Sequence, residues 1–110
     1  MSVLETDVID YIYLDEDHET PVLVVSDPLG WRPPDHKRHL KALRMKLKAQ
    51  VAFIESGQIR KVWPRFDGRP VRVEVVALSP LTRRAQAFYE EARQTMSQAN
   101  MELRFQLLDA

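Results

Sequence analysis

Val71-Arg-Val-Glu-Val-Val-Ala77 and Met101-Glu-Leu-Arg-Phe-Gln-Leu107, with Ser79-Pro80 and a helical stretch between them, decide how this chain is read. In the first segment Val71, Val73, Val75 and Ala77 alternate with Arg72, Glu74 and Val76. In the second, Met101, Leu103, Phe105 and Leu107 alternate with Glu102, Arg104 and Gln106. A period of two sends neighbouring side chains to opposite faces of a strand, so these segments predict a sheet with one buried and one open face. Ser79 is placed to cap the intervening helix and Pro80 to occupy its first position. Ala85, Phe88, Ala92, Met96 and Ala99 recur at helical spacing as its inward face, and Asn100 stops it.

Working towards the N-terminus, residues 8–14 predict a strand with Val8, Ile12 and Leu14 on one face and Ile9, Tyr11 and Tyr13 on the other. A polar turn at residues 15–19 joins it to a short apolar strand at 21–25, and so short a connection is a hairpin. Three prolines and a glycine within residues 27–34 break regular structure. A long helix then covers about residues 35–55, with Asp35 as N-cap, Leu40, Leu43, Leu47, Val51 and Ile54 as its apolar stripe, and Gly57 ending it. Residues 59–63 predict a third strand, turned into the next by Asp67-Gly68. The expected order is ββ-α-ββ-α-β in one domain, residues 1–110. This is an α/β fold of the α+β type: a two-layer sandwich with a mixed sheet and both helices on one face.

Charge is distributed unevenly behind a net of zero. The first 31 residues hold eight acids and no Lys or Arg, whereas residues 32–72 hold twelve Lys/Arg against three acids. The apolar content of 45% is that of a globular protein. No apolar run approaches the ~20 residues of a membrane span, and the acidic N-terminus does not resemble a signal peptide. With no cysteine, disulfides and thiolate chemistry are excluded, which fits a reducing cytoplasm.

The segments Val8-Ile-Asp10, Leu23-Val-Val-Ser-Asp-Pro-Leu-Gly-Trp31, His39-Leu40 and Phe53-Ile-Glu-Ser-Gly-Gln-Ile59 carry a resemblance. Over residues 7–105 the chain is similar to a family of small bacterial proteins catalogued only as a domain of unknown function. Asp27-x-x-x-Trp31 and Phe53-Ile-Glu-Ser-Gly57 are its most distinctive parts. The resemblance implies a stand-alone bacterial cytoplasmic protein and the same strand–helix order, and it implies no activity.

Several residues invite chemistry. His36 and His39, three apart on a helix with Asp35 beside them and Asp27 upstream, are spaced to share a metal; a solvated first turn is the plain alternative. Asp27, at the end of a strand, suits a general base, or an acceptor for N–H groups of the proline-rich loop. No nucleophile elbow or phosphate loop accompanies it. Trp31 either anchors an interface or closes the core beneath its loop. Lys37, Arg38, Lys41, Arg44, Lys46 and Lys48 cover the outer face of the long helix as a solvated basic surface. Ile9, Tyr11, Tyr13, Arg60, Val62, Arg72, Glu74, Val76, Arg104 and Gln106 are expected on the open sheet face. Aromatics among arginines there can stack bases, as RNA-binding sheets do, or bury themselves against a protein.

The expectation is a small cytoplasmic protein-interaction domain, regulatory or immunity-type, without cofactor. Its contact residues are Asp27, Trp31, Tyr11, Tyr13, Arg72 and Arg104, and its partner is another protein or a second copy of the chain, with no membrane involved. Enzymatic activity is left open, with the weight against it. A nucleic-acid module on the open sheet is the first alternative. A metal protein or enzyme around Asp27, His36 and His39 is the second.

Overall fold

The computed structural model describes residues 11–16 and 20–108. In chain order these form β1 (Tyr11–Leu14), β2 (Pro21–Asp27), a single 3-10 turn (Pro33–Asp35), α1 (His36–Glu55), α2 (Ile59–Val62), β3 (Val71–Ala77), α3 (Arg83–Gln98) and β4 (Met101–Leu107). The sheet order is β1-β2-β3-β4, with β1 antiparallel to β2 and the β2–β3 and β3–β4 pairs parallel. The expected mixed sheet and α+β class are therefore present. Parallel neighbours require a crossover, and α1 and α3 supply one each. Two right-handed crossovers stepping the same way along a sheet put their helices on the same face.

The core agrees with that placement. Leu23, Val25, Val71, Val73, Val75, Met101 and Leu103 from the sheet pack with Leu43, Leu47 and Phe53 of α1, Ile59 of α2, and Tyr89 and Met96 of α3. Strand burial follows the alternation read from the sequence, with odd-numbered positions of β3 buried and even-numbered ones partly exposed. The 8–14 strand is present from Tyr11, and its residues 8–10 lie outside the described ones.

Residues 59–63 are not a strand. Gly57 takes φ +80° and ends α1, after which the N–H groups of Arg60, Lys61 and Trp63 bond back to Gly57, Gln58 and Ile59. Ile59 and Trp63 are four apart, a spacing that puts two residues on one face of a helix as readily as of a strand. Here Ile59 is buried while Val62 is 66% exposed, so the segment is a turn of helix plugging the core. Arg60 and Val62 consequently leave the open sheet face, and Asp67-Gly68 belongs to a loop into β3 rather than to a hairpin.

Both helix starts also differ from expectation. Asp35 makes no side-chain cap; Pro33 and Pro34 lack N–H groups, their fixed φ begins a 3-10 turn that runs into α1, and the N–H groups of Asp35 and His36 are taken up by the carbonyls of Arg32 and Pro33. For α3 the cap is Thr82, whose Oγ1 accepts from Ala85 N at 3.2 Å, and Ser79-Pro80 lies upstream of the helix.

Candidate functional site

Asp27 is the last residue of β2 and shares the inward face with Leu23 and Val25, so its carboxylate points under the first turns of α1. There it meets His39, whose Nε2 lies 2.8 and 2.6 Å from the two carboxylate oxygens; both residues are only 1% exposed. His39 Nδ1 is 2.9 Å from the Gly30 carbonyl. A carbonyl oxygen only accepts, so Nδ1 carries a proton. A second proton lies between Nε2 and Asp27. The Leu29 N–H donates to Asp27 Oδ1 at 3.2 Å, and the Trp31 indole stacks on the imidazole, with centroids 3.5 Å apart and planes at 17°. Asp27 and His39 therefore hold the 27–35 loop from below while Trp31 closes it from above.

This arrangement leaves His39 without a free nitrogen for a base or a metal. His36, 8% exposed, points elsewhere, its Nε2 3.0 Å from Thr82 Oγ1 and its Nδ1 without a partner. Among the described residues no three His, Asp or Glu side chains converge on a point where a metal could sit. Tyr89 approaches from α3; burial, then the negative charge of Asp27, holds its phenol well above the ordinary value. Its hydroxyl has no hydrogen-bond partner.

The open face of the sheet is ordered in rows by strand register. One row reads Tyr13, Val22, Arg72, Glu102, with Val22 fully buried; the next reads Tyr11, Val24, Glu74, Arg104; the third ends in Ser26, Val76, Gln106. Tyr11 is 60% exposed and lies 5.9 Å, ring to ring, from Tyr13. The charges on this face are paired. Arg72 donates to Asp15 at 2.6 Å and lies 3.8 Å from Glu102, Arg104 pairs with Glu102, and the Tyr13 hydroxyl donates to Glu74 at 3.4 Å. The Asp15 contact raises the Arg72 guanidinium further above its usual range, and burial, then Glu74 and Asp15, raises the Tyr13 phenol. Of the expected contact residues, this face brings together Tyr11, Tyr13, Arg72 and Arg104. Asp27 and Trp31 lie apart from it at the buried histidine, and Ile9 is outside the described residues.

Sequence reasoning grouped Asp27 with His36 and His39 around a shared metal; the structure brings Asp27 and His39 into direct contact across the proline-rich loop and leaves His36 turned to Thr82. Lys46, expected on the solvated face of α1, is instead fully buried, as is Gln50. Both lie on the line His39, Leu43, Lys46, Gln50, Phe53, which has helical spacing throughout and is obscured by its polar members. Among the described residues no helix is long and apolar enough to cross a membrane.

Neither a curated protein nor a solved structure matches the chain. Residues 1–109 match the Family of unknown function (DUF6572), and the chain belongs to that family.

Proposed function

We propose that the protein is a small interaction domain of the bacterial cytoplasm that docks a folded protein partner through the open sheet face. The observation that carries this reading is the pairing of charge on that face. A phosphate backbone is held by cations whose counterions it can release. Arg72 and Arg104 already face Asp15 and Glu102, which favours a partner of mixed charge that contacts Tyr11, Val24 and Val76 by shape. Three strands of seven residues and β1 of four, at about 4.8 Å spacing and about 3.3 Å rise, give a face of about 400 Å² in projection. That is near half of the ~800 Å² per partner in a standard stable interface. Its size favours a partner that exchanges, as in regulation, over the tight capture an immunity-type role demands.

The test compares partners captured from host lysate, with and without nuclease treatment, by the tagged wild-type chain and by the Tyr11→Ser/Arg104→Ser variant. A near-stoichiometric protein held by the first and lost by the second supports the reading. Equal capture by both, or capture by the wild type that disappears with nuclease, rejects it. Sedimentation equilibrium shows whether the partner is a second copy.

A further inference from the structure

The opposite layer of the molecule has a different electrostatic character. Between α1 and α3 runs a groove of about 440 Å³ whose floor is Leu47, Val51, Phe88, Ala92 and Met96. Arg44 and Lys48 form its α1 wall; Glu91 and Thr95 form the α3 wall. The Arg44 guanidinium lies 5.8 Å from the Phe88 ring, so cation and apolar floor are continuous. Towards the start of α1, Lys37, Lys41 and the exposed Met45 extend the basic, partly apolar surface. In contrast to the sheet arginines, Lys37, Arg38, Lys41, Arg44 and Lys48 have no carboxylate within ion-pair distance among the described residues.

We infer that this groove is a second docking site, and that its occupant is an acidic amphipathic helix of a partner protein. Charge complementarity selects the occupant. Five cations on one helix that have no carboxylate partner among the described residues call for carboxylates, and the apolar floor calls for side chains at i, i+3, i+4 and i+7, as in helix-in-groove recognition. From Lys37 to Val51 the wall is about 21 Å long at 1.5 Å per residue, which matches a helix of about 14 residues. Glu91 on the opposite wall gives the groove a polarity. The acids of the ligand line the α1 side, and an acid facing α3 is disfavoured. The site is separate from the open sheet, so the protein is able to bridge two partners.

The probe is a fluorescein-labelled 14-residue peptide with leucines at i, i+3, i+4 and i+7 and glutamates along one flank, followed by anisotropy on the full chain. Arg44→Glu/Lys48→Glu is expected to weaken binding at least tenfold. Thr95→Trp, which fills the groove from an exposed position, is expected to do the same with no change in melting temperature. Glu91→Lys is expected to tighten binding several-fold. A scrambled peptide of identical composition is expected to bind at least tenfold more weakly, and Tyr11→Ser/Arg104→Ser is expected to leave binding unchanged, which separates this site from the sheet face. Three results overturn the proposal: no binding at millimolar protein, equal binding of the scrambled peptide, or displacement by a single-stranded RNA oligonucleotide that Thr95→Trp does not affect.

Discussion

Replacing Asp27 by alanine removes the acceptor of the His39 Nε2 proton and of the Leu29 N–H at once. Both partners are buried, so solvent cannot take over. Removing one member of a buried charged or proton-sharing pair typically costs about 3–5 kcal/mol, much of it from the group left behind. A chain of 110 residues has an unfolding entropy of about 0.23 kcal/mol/K, so the melting temperature falls by about 13–22 °C. Against a total stability of about 5–15 kcal/mol, that brings the variant close to unfolding at growth temperature. Asp27→Asn costs less, about 1 kcal/mol, because its amide can donate to Nε2 while Nδ1 keeps its proton on Gly30 O. In Asp27→Leu/His39→Leu neither group is left unpaired, and the loss falls short of the summed single losses by at least ~2 kcal/mol. Urea titration followed by tryptophan fluorescence measures the wild type, Asp27→Ala, Asp27→Asn, the single Asp27→Leu and His39→Leu variants and their double, and Trp31 reports locally because its ring lies against His39. Single variants that each lose less than about 1 kcal/mol, with additive losses in the double, refute the view that this pair holds the loop.

Two further predictions concern buried polar atoms. The raised Tyr89 ionisation means that unfolding releases its proton first, so its contribution is complete below pH 10.0 and is lost as pH rises above it. The wild type then loses up to about 1.4 kcal/mol per pH unit above 10 that Tyr89→Phe does not. Urea midpoints at pH 9 and pH 11 measure the difference, and equal losses in both proteins refute it. Gln50 is fully buried with neither end of its amide partnered, so Gln50→Met, of similar shape, is expected to stabilise the fold by about 1–2 kcal/mol. Thermal melting checks this, and a loss of stability shows that the amide serves a need the fold depends on.

The strands were legible in the sequence because a single physical rule governs them. In β3 and β4 a side chain's parity decides its face, and the expected inward and outward sets are those observed along β3 and, except at the exposed Leu107, along β4. The hairpin, the break after Asp27 and the ends of α1 and α3 at Gly57 (φ +80°) and Asn100 (φ +60°) were legible for similarly local reasons. Residues 59–63 were misread because a spacing of four fits both periods. Of the candidate site, the residues of the open face were visible one by one. Their pairing was not, since it depends on the register of β1 against β2 and of β3 against β4.

The two helices depart from expectation in the same direction, and that common error bears on function. In α1 the apolar stripe through Leu40, Leu43, Leu47, Val51 and Ile54 is fully buried only at Leu43 and Leu47, while the line through His39, Lys46 and Gln50 faces the sheet. In α3, Tyr89 takes the central buried place and Phe88 and Ala92 are only half-covered. Burying a histidine, a lysine and a glutamine while leaving a valine and a phenylalanine partly wet is unfavourable for folding alone. Each helix is rolled so that part of its best apolar surface faces its neighbour and the solvent across the groove. On the groove proposal, a partner helix would complete the coverage of Val51 and Phe88. Stability and binding should therefore trade against each other here. A Gln50→Met substitution that stabilises the core should leave peptide affinity in the groove unchanged, whereas Val51→Lys should leave stability within about 0.5 kcal/mol and abolish the peptide's leucine-dependent binding. If Val51→Lys instead unfolds the protein, the groove floor belongs to the core and the roll of the helices has no bearing on a partner.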